Sequence, residues 1–159
     1  MEIINKNKNL LIFFLIIILG FVLFCFFSHK NVSESILKTE NINFVKIGEQ
    51  KIKVEVASTS ENQEKGLSGR EKIGENEGML FVFKNSGEHL FWMKDMNFPI
   101  DIIWLNEEKK IVFLKENVSP DTFPETFSSE KNSKYVLEVM AGFSQKNNLQ
   151  EGETVQFLP

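Results

Sequence analysis

Cysteine and arginine are nearly absent from this 159-residue chain, and each scarcity narrows what it can be. The one cysteine, Cys25, lies inside an apolar run. That excludes a disulfide framework within the chain, a thiolate metal cluster, and a thiol nucleophile in its polar part. Histidine is almost as rare, with His29 beside the apolar run and His89 ahead of a strand-like segment. This set cannot build the usual zinc cluster, so no metal is expected. No serine elbow, phosphate loop or dinucleotide fingerprint occurs, so no cofactor is expected either. His89 is left as a lone acid or base, a role that few strand-end histidines have. Basic residues number 18 against 22 acidic ones, a net charge of −4. No basic stripe or basic–aromatic interleaving is present, which argues against nucleic acid as a partner.

What the chain does have is a long apolar run, Leu10–Phe27, free of charged or strongly polar residues. As a helix it would extend roughly 27 Å, close to the thickness of a bilayer hydrocarbon core. It has no polar stripe at helical spacing, which a soluble helix would need. A cleaved signal peptide would have an apolar core of about 7–15 residues and a small-x-small site. Here Phe26-Phe27-Ser28-His29-Lys30 offers no such site, and Phe24 ahead of Cys25 does not suit lipid attachment. The expectation is a single-pass transmembrane anchor over 10–27. Lys6 and Lys8 place the N-terminal residues 1–9 inside, as the cytoplasmic end. Residues 28–41 form a polar tether and 42–159 an extracytoplasmic domain. Secretion after signal-peptide cleavage is the alternative. A domain of this size without disulfides must be held by its core alone.

Strand signals dominate that domain. Ile52, Val54 and Val56 alternate with Lys51, Lys53 and Glu55, the pattern of a half-buried strand. Phe44–Ile47 precedes it across Gly48-Glu49-Gln50, which predicts a hairpin. The period then changes. Thr59–Gly66 carries a capping-box pattern, Ser60 with Gln63, and Gly66 as the stop, which predicts one short solvated helix. Apolar runs follow at Met79–Phe83, Leu90–Met93, Ile100–Leu105, Ile111–Leu114 and Tyr135–Met140, with a last strand near Thr154–Leu158. A single helical turn is expected around Phe143–Asn148. The result is about eight short strands, the signature of a mainly β sandwich or barrel. Runs without alternation are expected to be central strands covered on both faces.

Charges inside those runs are the candidate site residues. Arg70 is the only arginine among the 18 basic residues. Its planar fork suits a carboxylate or phosphate held bidentately, either on a ligand or within an internal salt bridge. Glu138 shares a strand face with Val136 and Met140, Asp101 with Ile103 and Leu105, and Lys94 with Leu90 and Trp92. Burying an isolated charge costs several kcal/mol, so each needs a partner. The economical arrangement joins Arg70, Lys94, Asp101 and Glu138 in one network. Asp101 and Glu138 as a pair are also the hardware of glycoside hydrolysis. Trp92 and Trp104 offer a stacking platform, although core packing is the commoner fate of such residues.

Taken together, the segments Gly66-Leu67 with Arg70, Gly78-Met79-Leu80-Phe81 with Phe83, Phe91-Trp92-Met93-Lys94, Pro99-Ile100-Asp101-Ile102 and Tyr135-Val136-Leu137-Glu138 resemble the DUF192 family, domain of unknown function 192. The chain departs from the family pattern at Ser68, Asp95, Met96 and Ile100. The resemblance implies a small β-sandwich of jelly-roll type following a signal or anchor segment, and it brings no activity, substrate or cofactor. The expected role is therefore a membrane-anchored binding or accessory module and not an enzyme. Its ligand would be an unidentified small polar molecule or envelope component near Arg70, Lys94, Asp101 and Trp92. An envelope saccharide hydrolase using Asp101 and Glu138, and a purely structural interaction module, are the alternatives.

Overall fold

Alternation in the first strand segments produces the expected hairpin. β1 (Phe44–Ile47) pairs antiparallel with β2 (Gln50–Ala57) across a turn in which Gly48 takes a left-handed φ of 54°. The computed structural model describes residues 16–24 and 41–159. Residues 16–24 are helical and exposed, and among the described residues no helix is long and apolar enough to cross a membrane. The expected segment 1–9, both ends of the apolar run 10–27, and all but the last residue of the tether 28–41 lie outside the described residues.

After β2 the chain forms α1 (Ser60–Lys65), β3 (Glu77–Gly87), β4 (Phe91–Trp92), β5 (Ile100–Leu105) and β6 (Ile111–Val118). A 3₁₀ turn at Pro120–Thr122, β7 (Thr126–Phe127), β8 (Ser133–Met140), α2 (Phe143–Lys146) and β9 (Val155–Leu158) complete it. The helix cap differs from the expected one. Thr59, in extended geometry, is the N-cap, and its hydroxyl accepts from the Asn62 N–H at 3.2 Å. Gln63 therefore does not close a capping box. Its side-chain amide donates to the carbonyls of Ala57 and Val82, fastening α1 to the end of β2 and the middle of β3. Gly66 ends the helix at a φ of 50°, as anticipated.

Seven strands form one sheet in the order β6-β5-β8-β3-β2-β1-β9, and β4 with β7 make a separate ribbon. The expected mainly β architecture holds, with nine strands among the described residues. The two-sheet jelly-roll expectation is met only in reduced form, because the second sheet is just this ribbon. The sheet also curls. Its edge strands approach each other where Lys110 bridges Thr154, and the Ile111 and Val155 N–H groups donate across the gap to Glu153 and Lys109 at 2.9 and 2.8 Å. The curl satisfies backbone groups that an open edge would leave exposed. A half-barrel is the nearer description.

Curling gives the sheet two apolar faces. The inner one collects Val45, Ile52, Leu80, Ile103, Ile111, Leu137 and Val155, one from each of the seven strands. The outer one carries Met79, Phe81, Ile102, Trp104 and Val136, covered by Phe91 and Phe127 of the ribbon and by Leu67, Met93 and Phe98 from loops. β5, buried at every position, separates the two. Trp104 packs in the outer core, its ring edge-on to Phe91 at 5.8 Å and its indole N–H donating to the His89 carbonyl.

Asp101 belongs to the inner face. Fully buried, its carboxylate accepts the N–H of Asn117 at 2.8 Å, of Gly142 at 3.2 Å and of Ser144 at 2.8 Å. It thereby caps α2 from another strand and ties that helix to the end of β6. Asp101→Asn should lower unfolding stability by about 2–4 kcal/mol, since an amide turns donors toward donors at a buried site. Urea denaturation checks this; an unchanged midpoint would mean these three bonds contribute nothing net.

Candidate functional site

The outer face carries the other buried carboxylate. Strand register places Glu55 beside Met79, Met79 beside Glu138, and Glu138 beside Ile102. One row across β2, β3, β8 and β5 thus reads acid, thioether, acid, aliphatic. Glu138 is 5% exposed, and its Oε2 has no hydrogen-bond partner. Gly78 makes this row possible. A Cβ there would stand 2.5 Å from the Glu138 carbonyl oxygen, so only glycine lets β3 and β8 pair so closely at this point.

Above Glu138 lies a pocket of about 250 Å³. Phe81, Phe83, Phe91 and Trp92 form its aromatic wall, Leu67, Leu90 and Met96 add aliphatic surface, and Gln63 to Ser68 from the end of α1 form the far rim. Two loops are stitched together beside it. The Ser68 hydroxyl donates to the Lys94 carbonyl at 2.7 Å, the Gly69 N–H to the Asp95 carbonyl at 2.8 Å, and the Asn97 amide to the Arg70 carbonyl at 2.9 Å. Asp95 adopts a left-handed φ of 55° in this turn, a conformation that aspartate tolerates better than most residues.

Burial pushes the Glu138 carboxyl up from 4.5 to about 8, and the positive charge of Arg70 pulls weakly the other way. The acid is therefore mostly protonated at neutral pH. A neutral carboxyl in an apolar pocket can donate one hydrogen bond, or ionise when a cation arrives.

The expected four-residue network does not form. Arg70 makes a bidentate pair with Glu55 at 2.6 and 2.7 Å, which holds its guanidinium above and the Glu55 carboxyl below their ordinary pKa. Arg70 is thus the hub of an internal bridge and influences Glu138 only through its field. Asp101, expected beside the ligand, instead faces the inner core, and its oxygens are taken by main-chain N–H groups. Asp101 and Glu138 sit on neighbouring strands but opposite faces, which leaves the two-carboxylate hydrolase without a pair sharing one cavity. Lys94 is exposed in the turn after β4, its ammonium 5.8 Å from the Trp92 ring centre, outside the pocket lining. Trp92 does line the pocket, 46% exposed, with Phe123 edge-on to it. His89 stacks on Phe83 at 3.5 Å, and desolvation lowers its pKa.

The sequence pointed to Trp92 of the aromatic wall, but not to Glu55 or to the three phenylalanines. On an alternating strand flanked by Lys51 and Lys53, Glu55 is indistinguishable from a solvated side chain. The phenylalanines look like core in sequence, and half of their role is core. The Gly78 motif was the one signal available, since a glycine opening an apolar strand marks close backbone approach.

The fold and site define a small half-barrel β domain with a one-sided, acid-floored pocket. The family described as DUF192, Uncharacterized ACR, matches residues 43–157, and the chain belongs to that family. Two solved structures are similar. One is a proposed transcription regulator from Sinorhizobium meliloti 1021, 27% identical, covering 68% of this chain and 83% of that one, with a TM-score of 0.66. The other is a protein of unknown function from Novosphingobium aromaticivorans DSM 12444, 26% identical, covering 72% and 84%, with a TM-score of 0.69. No curated protein matches the chain.

The raised pKa of Glu138 has a consequence for stability. The native state holds this proton more tightly than the unfolded chain, whose carboxyl titrates near 4.5. The stabilisation is complete below that value and is lost as pH rises through about 8. Glu138→Gln, neutral throughout, should match wild type near pH 4 and exceed it above pH 8 by on the order of a few kcal/mol. Denaturation of both proteins across this range checks it; parallel stability curves would show that Glu138 titrates normally.

Proposed function

We propose that this chain is a membrane-tethered, extracytoplasmic binding module that takes a small ligand, or one protruding group of an envelope partner, into the pocket over Glu138. One observation carries this reading. Glu138, which carries a carboxyl oxygen buried without a partner, lines a concave site, and an unmade hydrogen bond there costs about 1–3 kcal/mol unless something fills it. A purely structural role leaves that cost unexplained, whereas Asp101 and Arg70 have all the partners a structural role needs. At about 250 Å³ the pocket is just below the range usual for drug-sized ligands, which favours a compact ligand or a single side chain. Exposed Leu90 and Phe123 beside Trp92 add apolar surface at its mouth.

The description of the Sinorhizobium protein as a regulator would imply a nucleic-acid partner, and the net charge of −4 here disfavours it. The tether rests on the apolar run 10–27, long enough to span and flanked by Lys6 and Lys8.

A thermal-shift panel of small polar compounds on the full-length protein tests the binding reading, because a ligand of the native state raises apparent stability. Genuine hits should lose at least about half their shift in Trp92→Ala, in line with the few kcal/mol that aromatic contacts contribute. Equal shifts in both proteins would put the site elsewhere. The tether is checked by cell fractionation. Full-length chain should stay with membranes through a high-salt wash and leave only with detergent. Recovery as a shortened soluble form would mean that the apolar segment is removed.

A further inference from the structure

The geometry points to a primary ammonium group on a short apolar stem as the ligand that seats against Glu138. This inference rests on the pocket being a binding site and adds the chemical class of its ligand.

Three features of the pocket select a cation. Its floor is an acid with a buried, unpartnered oxygen. Four aromatic rings line it, from Phe81, Phe83, Phe91 and Trp92, and ring faces attract an ammonium. Trp92 already has the Lys94 ammonium 5.8 Å from its centre, so a cation is accommodated at that ring. The stem is set by the rest of the lining, which is aliphatic at Leu67, Leu90 and Met96.

The charged groups around Glu138 leave the site free to take a positive charge. Glu64 and Lys65 at the end of α1 are opposite in sign and both exposed. Arg70 is the cation whose field reaches Glu138, and its fork is engaged by Glu55 in two short bonds. Lys94 lies outside the lining, and no histidine contributes to it. An incoming ammonium would therefore find one acid without a committed partner.

Binding then becomes linked to a proton. The ammonium favours the ionised carboxylate, so its arrival displaces the proton that burial otherwise holds up to about pH 8. An alkylammonium, like lysine at about 10.4, keeps its own charge throughout this range. Affinity should rise about tenfold from pH 6 to pH 7 and level off above pH 8, with about one proton released per ligand at neutral pH. A neutral ligand that accepts a hydrogen bond from the protonated acid would behave oppositely and weaken above pH 8.

The test is a tryptophan-fluorescence titration of the detergent-solubilised full-length chain at constant ionic strength, from pH 6 to pH 9. The probes are n-butylammonium chloride, the neutral isostere butan-1-ol, and Nα-acetyl-lysine methylamide. The expected result is butylammonium binding with the rising pH profile, weakened at least about tenfold at pH 8 in Glu138→Gln, as loss of a buried charge partner implies. Tighter binding of the lysine derivative than of butylammonium would identify a protein side chain as the source of the amine; the reverse would identify a free small amine. A flat pH profile, or equal affinity in Glu138→Gln, would overturn the proposal. Butan-1-ol binding that weakens above pH 8, with no ammonium binding, would overturn the cation and keep the pocket. Silence from every probe overturns the cation as well, and the pocket reading falls with it only if the thermal-shift panel also yields no hit. Because Gln matches the protonated acid in shape and charge, the variant is expected to fold; its melting curve confirms that.

Discussion

Two neighbouring central strands each bury a carboxylate, and the two-residue period of the β-strand sends them to opposite faces. Asp101 on β5 points into the curl of the sheet, and Glu138 on β8 points out of it, although their residues are adjacent in register. A carboxylate inside an apolar layer has to find hydrogen bonds or give up its charge. Asp101 does the first, taking three main-chain N–H groups that the end of β6 and the start of α2 would otherwise leave open. Glu138 does the second. The half-barrel depends on the first outcome and the pocket on the second.

The same logic explains the loops. β4 and β7 cover part of the outer face but leave a gap beside Glu138, and the chain following α1 crosses to the turn after β4 through the bonds from Ser68, Gly69 and Asn97. Ser68, one of the departures from the family pattern, makes one of these bonds, and Met96, another, lines the pocket. Arg70, at the end of the same loop, spans to Glu55 on β2. It is an exposed bridge, with 34% and 64% of the two side chains accessible, and such pairs contribute little net stability. Its main effect on the site is electrostatic, a positive field that partly offsets the burial of Glu138.

Much of this was legible from residues alone. Period-two alternation marked β1 and β2, apolar runs without alternation marked the doubly covered β5 and β8, and Gly66 marked the end of α1. The face-mates of Asp101 and of Glu138 within their own strands were legible too, because they follow from parity, but not that the two acids lie on opposite faces of the sheet. The two-residue strand β7, the Thr59 cap and the Arg70–Glu55 pair were not. The strand and the ion pair depend on contacts between segments separated in the chain, of which local pattern carries no record, while the cap is a local choice between the adjacent Thr59 and Ser60 that the pattern leaves open.

By itself, then, the sequence determined which side chains share a face within each strand, that several charges would be buried there, and that one guanidinium would seek a carboxylate or phosphate. Only the tertiary structure decided which carboxylate. Strand order is set by how apolar faces close around a common core, so Glu55 came beside Arg70 while Asp101 was turned away from it. The same closure left Glu138 facing a cavity instead of a partner, because β8 lies centrally, where neighbouring strands offer its face only Met79 and Ile102.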